Sequence, residues 1–189
     1  MKILAWNYRG LTSARAVRAL LEIQKRECPD VFFLSETHLG KVKVDELKRK
    51  LQCDHYIIIE SDGRSGGLLL FWRKDISIKM QETLQYFIDV LVDDGREWRL
   101  TGIYGEPRWE EMQKTWDALR TLHGRMHKPW LALGDFNEIL FHHEKEGGRP
   151  RELNAFSKRL VKLWMTVAYR TWAIAVICSP GSEEKTGSS

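Results

Sequence analysis

Trp130-Leu131-Ala132-Leu133-Gly134-Asp135-Phe136-Asn137 is an apolar run that breaks off into a carboxylate and a carboxamide. Pro129 opens it, and four consecutive apolar side chains suit a strand buried on both faces. Gly134 is expected to let the backbone turn, so that Asp135 and Asn137 leave the sheet edge together. Open α/β sheets place their chemistry at such strand ends. An Asp accepts hydrogen bonds or binds a hard cation, and an Asn both donates and accepts without charge, so the pair suits orienting a water against a phosphate. The same letters also read as an ordinary turn. The choice rests on the other strand ends.

Those ends repeat the pattern. Lys2 to Asn7 is a short apolar strand closing on Trp6-Asn7. Ser13 is placed to cap a helix through about Glu27, with Val17, Leu20, Leu21 and Gln24 at helical spacing and Arg15, Arg18, Lys25 and Arg26 facing outward. Pro29-Asp30 stops that helix, and Val31-Phe32-Phe33-Leu34 forms a buried strand that delivers Ser35-Glu36-Thr37-His38. A short helix follows from Val44 to Gln52, then a strand from His55 to Glu60. Gly63-Arg64-Ser65-Gly66-Gly67 has the letters of a serine nucleophile elbow, but that motif needs a helix next, and Leu68 to Trp72 is a strand. Ile76 to Ile78 and Tyr86 to Val92 continue as strands, and Asp94-Gly95 signals a two-residue hairpin into Glu97 to Tyr104. Tyr104-Gly105 closes that strand with a phenol. Trp109 to His123 is an amphipathic helix whose Met112, Trp116, Leu119 and Leu122 face a core. Beyond Asn137, His142-His143-Glu144 lacks a third ligand at metal spacing, and Glu152 to Leu163 reads as a helix.

With 189 residues the chain suits one domain. Its 43% hydrophobic and 30% charged content with eight Trp excludes disorder, and no apolar run reaches membrane-spanning length. Cys28, Cys53 and Cys178 form an odd, widely spaced set and read as reduced thiols, which with the absence of a cleavable leader points to a nuclear or cytoplasmic protein that is not secreted. The net charge of +4 favours a polyanionic partner only weakly.

Asn7, Glu36, Tyr104, Asp135 and Asn137 thus each follow an apolar run. As a set they resemble the endonuclease/exonuclease/phosphatase superfamily, through Trp6-Asn7, Ser35-Glu36-Thr37, Tyr104-Gly105 and Gly134 to Asn137. The wording resembles most the endonuclease domain of plant non-LTR (LINE-type) retrotransposons. Trp6-Asn7 with Arg9-Gly10-Leu11, Arg15 to Leu20, Pro29 to Thr37, Gly66 to Trp72 and Gly134 to Leu140 all carry its motifs. The resemblance spans residues 1 to about 160. It implies a two-sheet β-sandwich flanked by helices, a four-layer α/β/β/α class. It also implies Mg²⁺, or Mn²⁺ in its place, held by Glu36 with Asn7. Asp135 would orient or deprotonate the attacking water, Asn137 would bond the scissile phosphate and Tyr104 would stabilise the transition state. DNA would be the substrate, nicked by phosphodiester hydrolysis, and the chain would act as a monomer without a membrane or an obligate protein partner. A phosphomonoesterase of the same superfamily and a non-catalytic retroelement remnant are the rival readings.

The departures are specific. Arg9 stands where many members have an acidic residue. The family's later Asp and terminal Ser-Asp-His do not occur, since none of the six histidines follows Ser-Asp. The C-terminal part of the fold is therefore expected to be missing, leaving edges open beside the strands that end at Asn7 and Asn137. Residues 1–163 read as a partial domain and residues 164–189 as an aberrant tail, poorly integrated although Thr166 to Ile177 can form a helix or strand by composition. Trp164-Met165-Thr166 can be encoded only as TGG-ATG-ACN, whose neighbouring frame reads Asp-Asp, and Trp172-Ala173 forces a Gly there. With permitted codons that frame spells D-D-C-G-L-Q-D-L-G-Y-S-G-D-M-F-T-W, which resembles the family's continuation. The gene sequence is the check: its codons should spell that peptide in the shifted frame, and incompatible codons would refute a frameshift or mis-spliced origin.

Overall fold

The computed structural model describes residues 1–7, 13–61, 66–106, 112–125, 128–137 and 171–176. The first sheet is built from β1 (Ile3–Asn7), β2 (Val31–Ser35), β3 (His55–Ile59) and β4 (Leu68–Trp72), in the order β1-β2-β4-β3. α1 (Ala14–Glu27) and α2 (Lys41–Leu51) cover its outer face. The second sheet has β5 (Ser77–Leu84), β6 (Phe87–Asp93), β7 (Glu97–Tyr104), β8 (Trp130–Asp135) and β9 (Thr171–Val176) in sequential order, with α3 (Met112–Arg125) between β7 and β8.

Local chemistry explains the helices. Ser13 caps α1, its hydroxyl accepting from the Ala16 N–H at 3.2 Å, and Ala16, Leu20 and Gln24 recur every fourth position as the buried stripe. Cys28 ends it in a left-handed conformation, its N–H donating to the Gln24 carbonyl, which lets the chain turn into β2. α2 buries Val44, Leu47 and Leu51.

Three apolar layers follow from strand alternation. Ala5, Val31, Phe33, Leu70, Val90, Leu100 and Leu133 point between the sheets. Phe32, Leu34, Leu69 and Phe71 meet Leu20, Val44 and Leu47 of the helices. Phe87, Ile103, Trp130 and Ala132 meet Trp116, Leu119 and Leu122 of α3. The expected four-layer α/β/β/α sandwich is therefore present. β2 and β4 are buried along their whole length because a core lies on each side of them.

Some expectations need correction. The β6–β7 connection has three residues, 94–96, since Asp93 pairs with Glu97. Gly95 adopts φ 101° there and donates its N–H to the Asp93 carboxylate, which favours the longer loop over a two-residue turn. β5 extends to Leu84, beyond the apolar letters that mark it, because pairing with the strongly apolar β6 carries its polar residues along. Within the described residues α3 begins at Met112 and reaches Arg125. The expected open edge of β8 carries β9, which pairs parallel to it from Trp130↔Thr171 to Gly134↔Val176. The burial of Trp172, Ile174 and Ile177, the helix at Glu152 to Leu163, the His142-His143-Glu144 cluster, Arg9, Ser65 and Cys178 lie outside the described residues. Cys28 and Cys53 are free thiols, and burial pushes Cys53 up to about 12.

Sequence reading missed one buried polar system. Asp89 of β6 accepts from Arg99 Nε and Nη2 at 2.8 Å each and from the Thr101 hydroxyl at 2.6 Å. Thr101 in turn accepts from the Trp130 indole, and Arg99 Nη1 reaches the Leu122 carbonyl of α3. Asp89 and Arg99 are 0% and 3% exposed, so each charge depends on its partner. The signal was an Asp inside an apolar strand with Thr101 directly across from it and Arg99 two positions earlier on that strand. Asp89→Ala should lower stability by about 3–5 kcal/mol, while Asp89→Leu with Arg99→Met should recover most of it. Urea midpoints of the two variants check this, and a single variant no weaker than the double one would contradict it.

Candidate active site

Parallel pairing sets the location. β1 runs parallel to β2 and β7 to β8, so all four C-terminal ends open at one edge of the sandwich, with β1 facing β8 across it. Alternation then selects the side chains. Ile3 and Ala5 point between the sheets, and so does Asn7; Leu100 precedes Tyr104 on the same face, and Leu131 and Leu133 precede Asp135. The inward apolar rows thus end in an amide, a phenol and a carboxylate. Gly134 is an adjustment to this reading: with φ 129° and a Cβ position only 2.0 Å from the Ile103 carbonyl oxygen, it permits close strand contact, and Asp135 stays in the ladder opposite Tyr104. Only Phe136 and Asn137 leave the sheet.

The five expected residues converge. The Asn7 side-chain N–H₂ donates to Asp135 Oδ2 at 2.6 Å and to Glu36 Oε1 at 3.2 Å. The Tyr104 hydroxyl donates to the same Glu36 oxygen at 2.7 Å. Asn137 joins through its backbone N–H, which donates to Asp135 Oδ1 at 2.8 Å, while its side chain donates to the Gly105 carbonyl. Asn7 and Tyr104 are 5% and 6% exposed; Glu36, Asp135 and Asn137 are half-buried and so reachable from solvent. Glu36 and Asn137 have φ of 53° and 52°, left-handed conformations uncommon outside Gly and concentrated at functional sites.

The donor set suits a hard cation. Among the described residues no three His, Cys, Asp or Glu gather, so the ligands this edge could offer are the Glu36 carboxylate and the Asn7 amide oxygen. That oxygen is buried and has no hydrogen-bond partner among the described residues. Its amide cannot simply be flipped, because the N–H₂ lies between two carboxylates. A buried acceptor left incomplete costs free energy, and an oxygen-seeking divalent ion would satisfy it. Both hydrogen bonds to Glu36 fall on Oε1, so none of them competes at Oε2.

Residues 4–183 match the model of the Endonuclease/Exonuclease/phosphatase family. The chain belongs to the endonuclease/exonuclease/phosphatase family. Solved structures share the fold: the 3′ phosphatase NExo from Neisseria, bound to a product DNA hairpin, has 16% identity and a TM-score of 0.63 over 88% of this chain and 71% of its own. A humanized TDP2 of D. rerio has 21% identity and a TM-score of 0.55 over 72% and 66%. The human Nocturnin catalytic domain has 15% identity and a TM-score of 0.51 over 72% and 64%. The chain spans between 64% and 71% of the length of these endonuclease/exonuclease/phosphatase-like structures. No curated protein matches it in sequence.

Tyr104 carries the clearest electrostatic signature of the site. Burial raises its pKa, the hydrogen bond to Glu36 and that carboxylate's charge raise it further, Asn137 opposes, and Asp135 adds a smaller rise. A folded value above the unfolded one contributes stability that is whole below the ordinary tyrosine value of about 10 and is lost as pH rises toward the folded value. Urea midpoints above pH 10 should therefore fall more steeply for the native chain than for Tyr104→Phe. Parallel curves would show that the phenol is not held protonated by Glu36.

Proposed function

We propose that this chain is a Mg²⁺-dependent DNA endonuclease domain of a LINE-type retroelement, acting as a monomer that nicks by phosphodiester hydrolysis, and that its rate is impaired as written. The observation that carries the reading is the convergence of Asn7, Glu36, Tyr104 and Asp135 in one hydrogen-bonded cluster at the shared strand edge. The retroelement wording of its motifs supports the substrate class, as does the DNA product held by the similarly folded Neisseria enzyme.

Each residue has a role its chemistry allows. Glu36 and the Asn7 amide oxygen would hold Mg²⁺, or Mn²⁺ in its place, and the ion would offset the charge on the phosphate oxygens. Asp135 takes the proton of the attacking water. Its carboxylate is already oriented by Asn7 and by the Asn137 N–H, so little reorganisation is required as the proton moves. Tyr104, kept protonated, would turn its one O–H from Glu36 toward an oxygen gaining charge. Asn137 has one amide hydrogen on the Gly105 carbonyl, and its second, which lies toward Tyr104, could be shared with the phosphate.

The impairment follows from the motifs the sequence lacks. The family's later Asp and Ser-Asp-His would contact the phosphate and its nucleophile, and residues 164–189, which we read as frameshifted, lack them although 171–176 pair with β8. Losing one such partner costs about 10²- to 10⁴-fold in rate, and losing several that act as a unit leaves little above background. Supercoiled plasmid with Mg²⁺ tests both parts. The native chain should nick near background, the chain with its reading frame restored should nick readily, and Glu36→Ala in the restored chain should drop the rate by about 10²-fold or more. Strong nicking by the native chain would refute the impairment. An inert restored chain would refute the endonuclease reading and favour the remnant.

A further inference from the structure

The position of Glu36 poses a problem that alternation does not solve. In β2, Val31 and Phe33 point between the sheets while Phe32 and Leu34 point at the helices. Glu36 has the parity of Phe32 and Leu34, yet its carboxylate turns to the inter-sheet side and bonds Asn7 and Tyr104. The antiparallel ladder to β4 is regular up to Ser35↔Leu68, which puts Glu36 opposite Gly67. The Gly67 carbonyl, however, accepts from the Thr37 N–H at 3.2 Å. Glu36 is thus an extra residue on its strand, left-handed at φ 53°, in the manner of a bulge that re-aims a side chain.

We infer that Gly67 is a positioning residue: its backbone clamps the Glu36-Thr37-His38 turn and so aims the Glu36 carboxylate into the site, the role left over once Gly63 to Gly67 is denied to a serine nucleophile. A Cβ on Gly67 would lie 2.9 Å from the Thr37 hydroxyl and 3.1 Å from the His38 nitrogen, and Thr37 is 1% exposed and has no room to retreat. Gly67 also has φ 87°, which disfavours any side chain. Gly66 provides the control within the same dipeptide. Its φ is 89°, but a Cβ there meets nothing within 4 Å. The two glycines share the backbone requirement, and only Gly67 touches the turn.

The inference rests on the proposed cation-binding role of Glu36, and the experiment separates the two. Mn²⁺ affinity is measured by electron paramagnetic resonance on the full chain, alongside thermal melting, for the native protein, Glu36→Ala, Gly66→Ala and Gly67→Ala. Glu36→Ala and Gly67→Ala should each bind Mn²⁺ about ten- to a hundredfold more weakly, with Gly66→Ala close to native. An unchanged Glu36→Ala would overturn the cation-binding reading itself. A weakened Glu36→Ala beside a native-like Gly67→Ala, or equal losses at Gly66 and Gly67, would overturn the positioning role alone. If Gly67→Ala lacks a cooperative melt, Gly67→Ala with Thr37→Ala removes the hydroxyl that the new methyl meets. Folding with weakened Mn²⁺ binding then supports the clamp. Folding with native binding, or failure to fold again, overturns it.

Discussion

Two hydrogen bonds cross the mouth of the sandwich, and the site depends on them. Asn7 of the first sheet donates to Asp135 of the second, and Tyr104 of the second donates to Glu36 beside the first. Without those donors, two carboxylates would confront each other at a half-buried edge, where like charges are costly. The amide and the phenol supply hydrogens to the two acids without adding net charge. The apolar rows behind them fix both sheets at the spacing these bonds require.

Much of this was legible in the letters. Each apolar run announced a strand, and the residue closing each run announced the edge, because inward parity carries Asn7, Tyr104 and Asp135 onto the same face as their apolar predecessors. The Ser13 cap and the stripe through Leu20 were equally plain. Other features are tertiary. Asp135 stays paired because Gly134 fits against the Ile103 carbonyl, a contact between strands separated in sequence by a helix. The turn of Glu36 depends on β4, more than thirty positions onward. The Asp89–Arg99–Thr101 cluster needs the β6–β7 register, which the loop at 94–96 sets and a two-residue turn would have shifted.

β7 serves two purposes on its two faces. Leu100 and Tyr104 face the other sheet and end in the site, while Arg99 and Thr101 face α3 and hold its Leu122 carbonyl and the Trp130 indole. The ion pair sits near the start of the strand and the phenol at its end, so one element anchors the helix layer at one end and presents chemistry at the other.

The pairing of β9 with β8 is made by main-chain groups in a parallel ladder. Such a ladder is indifferent to which side chains ride on it, provided the segment tolerates an extended backbone and carries no proline where an N–H is needed. The edge of β8 is in that sense a socket of fixed shape. A polypeptide supplied in trans would meet the same row of donors and acceptors as a covalently linked strand does, the geometry by which an extended segment adds to a sheet edge.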